Sequence, residues 1–349
     1  MTEDEPELLR DAASADALDA HLARFEAALA AVELRGYRPH PLGSPIAREA
    51  IARHDGSDAN AIALAPSPDA SLRRAFAAMA DRGDEILAPH TLDPNVLRIA
   101  QALDVHLVQF PGFGVDDPDH VDLRALFDLI SDRTRAIYLA DPSAPLGGVL
   151  SADTSEAFAS LELPLIVDRR HRRLALAELE PAPRIDATLC FVVEGLRERG
   201  AAPGLGLGWT TVSGDPARVD EAIAHLEGVA QTEPLACAPI ELAMEDLLRA
   251  CETAKSALLD HLRANDGVLS EAARASAGPI EHTTPRAGHR ATLVRRGPSR
   301  GWSDELARGG ARVASGERFG IDDADAVVVS LHASRDAIAR LAARLDDRD

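Results

Sequence analysis

Six consecutive residues, Asp168-Arg169-Arg170-His171-Arg172-Arg173, follow directly on the apolar segment Leu163–Val167. Ligands in open α/β sheets collect beyond the carboxyl ends of strands. Arg169, Arg170 and Arg172 therefore form a candidate site for a small anion, gripped by bidentate guanidinium forks. The alternative is a solvated turn whose arginines pair with Glu178 and Glu180, an arrangement of little energy. Other chemistry is poorly supported. The twelve histidines and three cysteines (Cys190, Cys237, Cys251) show no metal-ligand spacing, so no metal is expected. No Gly-x-Ser-x-Gly elbow is present. Gly204-x-Gly206-x-Gly208 lacks the dinucleotide spacing and precedes a strand instead of following one. Glu194 and Glu198 would share a face if their segment were helical, and read best as exposed helix glutamates. Amine chemistry is confined to one position, because Lys255 is the single lysine among 37 basic residues.

The elements that must position these residues alternate. Apolar strands are expected at 61–65, 85–88, 105–110, 135–140, 163–168, 188–193 and 206–212. Helices are expected at 2–32, from 46, from Ser67 to about 80, and at 94–103, 122–131 and 154–160. Ser67-Pro68-Asp69 reads as N-cap, N1 and N2. Such alternation argues for a mostly parallel sheet covered on both faces. After Val219 the pattern is helical to about Leu262. Strands at 291–295 and 326–331 and a helix at 335–345 then give a smaller α+β unit.

The 349 residues are 46% hydrophobic and 27% charged, enough for a sizeable core. The net charge of -20 argues against nucleic acid and anionic membrane as partners. No apolar run approaches the ~18 residues of a membrane span. The first residues, MTEDEPELLRDAAS, place acids where a secretory signal carries bases, so a cytoplasmic location is expected. The lysine-poor, acidic composition fits a GC-rich genome or adaptation to salt.

Five segments, in order, resemble the class I/II aminotransferases, the fold-type-I enzymes dependent on pyridoxal 5'-phosphate (PLP). These are PLGSPIAREAIA (41–52), RGDEILAP (82–89), TRAIYLADPSAPLGGVLS (134–151), PGLGLGW (203–209) and PARVDEAIAHLEGV (216–229). The resemblance spans roughly residues 37–345. It implies a fold-type-I α/β architecture with a smaller α+β domain. The N-terminal segment 1–40 would join the small domain, 41–240 form the large domain and 241–349 form the small one. It also implies a homodimer.

The resemblance further implies where functional residues should stand. The Schiff-base lysine position, counted back from PGLGLGW, falls on Glu198, and a shift of one residue finds only arginine. Neither side chain can form the imine. The phosphate arginine falls at Gly206, the ring-stacking aromatic at Asp93 and the ring-oxygen asparagine at Ala144. The substrate-carboxylate arginine falls near Val328. Asp168 stands where the family pairs an aspartate with the pyridine nitrogen, His171 where a tyrosine reaches the ring oxygen, and Ser67 at the phosphate-cradling helix start. Asp168 is either a ligand contact or a structural remnant, since strand-terminal aspartates often cap turns.

Two functions follow as expectations. The first is a catalytically inactive, binding or regulatory protein on an aminotransferase fold, without cofactor, acting as a homodimer or as a heterodimer with an active relative. The second is an enzyme that holds PLP non-covalently through Asp168, His171 and Ser67, or uses a remodelled site for an amino acid or anionic substrate.

Overall fold

The computed structural model describes residues 16–345 except 184, 186, 201, 203, 277, 297–300 and 322–324. The stretch 2–15 of the expected first helix lies outside the described residues. The first half holds α1 (Asp16–Ala30), α2 (Pro45–Asp55), β1 (Ile62–Ala65), α3 (Pro68–Met79), β2 (Glu85–Pro89), α4 (Pro94–Leu103) and β3 (His106–Phe110). There follow α5 (Leu123–Phe127), β4 (Thr134–Ala140), α6 (Ala152–Ala159), β5 (Leu165–Asp168), β6 (Leu189–Gly195), α7 (Leu196–Gly200), β7 (Gly208–Gly214) and α8 (Pro216–Ala230). The last third holds α9 (Ala238–Leu242), α10 (Met244–Ala275), β8 (Ile280–Thr283), β9 (Arg290–Arg295), α11 (Trp302–Arg308), β10 (Ala314–Ser315), β11 (Asp325–Ser330) and α12 (Arg335–Leu345).

Seven strands form one sheet in the order β1-β7-β6-β5-β4-β2-β3. All neighbours are parallel except at β7, which runs against β1 and β6. The period of two in each strand splits its side chains between two cores. Ile86, Tyr138, Ile166 and Phe191 pack with Leu72, Phe76, Val96 and Leu226 on one face. Leu87, Ile137, Leu165 and Val167 pack with Phe110, Leu126 and Phe158 on the other. The remaining strands form an antiparallel sheet, β10-β11-β9-β8. Its core joins Leu293, Val327 and Val329 to Leu262 and Leu269 of α10 and Ile338 and Leu341 of α12. The first turns of α10 instead pack on Phe25, Ile51 and Trp209.

Four helices begin with the same device. Ser44, Ser67, Asp93 and Asp215 each accept a backbone N–H through the side chain, and each precedes a proline whose missing donor costs nothing there. These helices therefore start where the local sequence dictates. Several elements depart from expectation. The helix expected over 122–131 is only Leu123–Phe127, because Ser131 bonds Glu85 and Thr134 and pulls the chain into a turn feeding β4. The helical stretch after Val219 begins at Pro216, breaks at 231–237 and runs on to Ala275. Its polar segment beyond Leu262 is held by tertiary bonds, with Asn265 Nδ2 donating to the carbonyls of Leu331 and Ala333 at 2.9 Å each. Strands β8 and β10 and helix α11 have no counterpart in the expected series, being four, two and seven residues long.

Candidate functional site

The parallel strands β2, β4, β5 and β6 deliver their carboxyl ends to one edge, as open α/β sheets do. The N-terminus of α3 lies against this edge. A Cβ at Gly208 would stand 2.4 Å from Pro68 N, so only glycine lets β7 pass so close. Ser67 Oγ caps α3 by accepting from Ala70 N at 3.1 Å. Pro68 offers no N–H, and Asp69 places a carboxylate in the first turn.

Asp168 ends β5 and is buried. Arg170 folds back onto it: Nη2 lies 2.8 Å from Oδ2 and Nε 3.0 Å from Oδ1, while the Arg170 N–H donates to Oδ1 at 3.1 Å. The other edge of the guanidinium bonds Asp69 across the site. One arginine thus joins the strand-terminal aspartate to the helix N-terminus. Burial pushes the Asp168 carboxyl up further than Arg170 brings it down.

The neighbouring arginines are also committed. Asp141, fully buried just beyond β4, accepts from Arg169 Nε at 3.1 Å, Arg172 Nη1 at 2.6 Å and Leu150 N at 3.2 Å. Arg173 reaches Asp55 at 2.6 Å. Glu178 and Glu180 do not supply the side-chain partners expected of them; Glu180 contributes only its carbonyl, 3.3 Å from Arg172 Nη2. Arg169, Arg170 and Arg172 therefore converge on internal carboxylates.

The four-stranded sheet closes over this edge. Asp93, the cap of α4, accepts from Arg290 Nη1 at 2.8 Å. Burial raises the Asp93 carboxyl, but Arg290 and the N–H of Asn95 outweigh it and hold it at about 2. Leu92 N donates to Phe319 O at 3.0 Å, and Gly320 (φ 81°) sits against the His90 carbonyl where a Cβ would stand 2.3 Å away. His171 lies against His289, tilted by 50° at 4.4 Å between centroids, and His289 stacks on His332 at 5.1 Å. Burial pushes all three imidazoles down, His332 to about 4.

Little space remains among these groups. Asp69, Asp93, Tyr138, Ala144, Asp168 and Arg290 enclose, with Arg170 and His171, a cavity of about 30 Å³. Ligand pockets usually run to several hundred Å³, and this one has room for only a water molecule or two.

Glu198 and Glu194 do not share a helix face. Glu194 is in β6, where burial pushes it up and Arg199 binds it at 2.8 Å. Glu198, in α7, is buried and lies over Gly195, which Pro68 also approaches, with Oε1 held by Arg197 at 2.8 Å. Its Oε2 has no hydrogen-bond partner. Gly206 approaches the carbonyl of Pro66, while Val328 is buried in β11. Sequence reasoning missed Asp141, Arg290, His289 and His332. An aspartate directly after β4, matching Asp168 at the end of β5, was the available signal for the first. The other three come from the distant second sheet and carried none. Among the described residues no group of three or more His, Cys, Asp or Glu could hold a metal ion, and no helix is long and apolar enough to cross a membrane.

Comparison with known proteins gives a consistent picture. The family described as "Aminotransferase class I and II" matches residues 8–272. A tyrosine aminotransferase of Caenorhabditis elegans is 27% identical over 234 residues, which are 61% of this chain and 48% of that protein. The chain thus spans about half the length of the relatives it matches. Among solved structures, the tyrosine aminotransferase of Leishmania infantum superposes with a TM-score of 0.83 at 16% identity, covering 96% of this chain and 88% of that one. The alanine aminotransferase of Pyrococcus furiosus gives 0.80 at 20% identity, covering 93% and 88%. These likenesses establish the fold.

Proposed function

The chain belongs to the class I and II aminotransferases, and from that premise we propose that it is a member without transaminase activity, a binding or regulatory protein. The observation that carries this reading is Arg170. Its guanidinium occupies the Asp168 carboxylate where the family pairs a pyridine nitrogen, and it reaches Asp69 where the family cradles a phosphate. The site supplies its own cation and its own anion in place of the cofactor's.

The remaining groups do not fit PLP either. The cavity of about 30 Å³ is an order of magnitude too small for a cofactor of that size. Asp69 opposes a phosphate dianion and Pro68 removes an amide donor. Asp93, in the place of a stacking aromatic, is bound to Arg290. Lys255 lies on α10 and Glu198 holds the expected lysine position, so no amine is available there.

The rival reading is an enzyme with non-covalent PLP. Asp168 and Ser67 favour it, since both stand where the cofactor would need them. It requires Arg170 to leave two carboxylates at once. Assembly as a homodimer, or as a heterodimer with an active relative, belongs to the same proposal and rests on the family.

The test is an assay of the purified protein with PLP, a panel of amino acids and a 2-oxo acid acceptor. The proposal expects no oxo acid product above the protein-free rate. Turnover that scales with protein concentration would overturn it.

A further inference from the structure

A second cavity lies away from the carboxylate site, beside the four-stranded sheet. It is formed by the loop after α11, the end of β11 and the exposed edge of α12, and has a volume of about 460 Å³. That is within the range of small-ligand pockets. It is open because its walls are small: Gly309, Gly310, Ala311, Ala333, Ala337 and Ala343 line it. Its accessible apolar surface belongs to the alanines, which are half-buried or exposed, because Val329, Ile338 and Leu341, which also line it, are almost wholly buried.

The rim is basic. Arg340 and Arg344, one turn apart on α12, both face the cavity. The Arg344 guanidinium lies against the loop, with Nη1 3.2 Å from the position of a Cβ on Gly309. Neither arginine has a carboxylate partner among the described residues, and no acidic side chain lines the cavity. On a chain of net charge -20, most arginines described above are bound to carboxylates; these two are not. Arg312 lines the same cavity and is engaged in a contact of its own.

We propose that this cavity is a binding site for a small amphipathic organic anion, whose apolar body lies against Ala311, Ala333, Ala337 and Ala343 and whose head is held by Arg340 and Arg344. The chemistry follows from the two halves. Apolar area removed from water supplies a non-directional gain that grows with the area covered. Two guanidiniums four residues apart supply charge-assisted bonds and select an anion over a neutral analogue. The site is independent of whether the carboxylate edge binds a cofactor.

The test is calorimetric titration of the full chain with octanoate, with 1-octanol and acetate as probes of one half each. The proposal expects saturable binding of octanoate, at least about tenfold weaker binding of either control, and an affinity loss of about tenfold in the Arg340→Ala, Arg344→Ala double variant. Ala337→Leu, which fills the cavity from an intermediate position on α12, should abolish binding while the melting temperature stays close to wild type. No saturation by octanoate at millimolar concentration, or equal binding by the double variant and by wild type, would overturn it. Acetate binding as tightly as octanoate would also overturn it, since the alanine walls would then contribute nothing.

Discussion

Arg170 and Asp168 form a two-pronged ion pair at the end of β5, Nη2 to Oδ2 at 2.8 Å and Nε to Oδ1 at 3.0 Å, only two residues apart in sequence. The pair is buried, and its cation also serves Asp69. In an enzyme of this family the aspartate has to be free for a ring nitrogen. Here the next turn of the chain has already taken it.

Replacing Arg170 should destabilise the fold. Removing one partner of a buried pair leaves an uncompensated charge and costs about 3–5 kcal/mol. Arg170→Leu is expected to lose that much in urea unfolding. Asp168 already titrates above its ordinary value, and without Arg170 it rises further. The variant's deficit should therefore be larger at about pH 8 than at about pH 5, where the carboxyl can take up a proton. Adding Asp168→Leu should return part of the loss, because both charged partners are then gone.

The Asp93–Arg290 pair ties the start of α4 to the second sheet. Asp93→Asn keeps the capping oxygen, which asparagine supplies as well as aspartate, but removes the charge facing Arg290. A loss of about 1–3 kcal/mol is expected in chemical denaturation. Hydrogen exchange should quicken at the Leu92 amide, which bonds the Phe319 carbonyl. In the wild type, the stability from Asp93 is present above its ordinary value of 3.8 and disappears as pH falls through about 2.

The stack His171–His289–His332 gives a separate pH window. Burial, with Arg170, Arg290, Arg197 and His261 around the stack, outweighs the one favourable carboxylate, Asp93 beside His171, so added protons are disfavoured. The folded imidazoles titrate below 6.5, His332 at about 4. The unfolded chain therefore takes up protons that the folded chain refuses. Stability from this group is complete above pH 6.5 and falls as the pH drops towards 4. His332→Phe should keep the stacking and flatten the slope of melting temperature against pH over that window. An unchanged slope would remove His332 from the account.

Much of this was legible in the residues. The Ser67-Pro68 start placed α3, and the alternating strands predicted a covered parallel sheet, because local capping and periodicity decide both. The loss of lysine was a matter of counting. What the sequence did not carry was the use of Arg170. A run of four arginines after a strand reads equally as an anion site or a solvated turn, and only the packing of α3 against β7, through Gly208, brings Asp69 within reach. The histidine stack was hidden for a related reason: His171 meets His289 and His332 only when the second sheet folds back over the first. Strand β8 is too short and too polar to show a pattern.

The central claim is that the pocket is filled by the protein's own charges. PLP titration into the purified protein, followed by absorbance and intrinsic fluorescence, tests it most directly, with Asp168→Ala as the control. The account predicts no saturable change in wild type and no difference from Asp168→Ala. Tight, saturable binding that Asp168→Ala abolishes would contradict it, since Arg170 would then yield its aspartate to the cofactor.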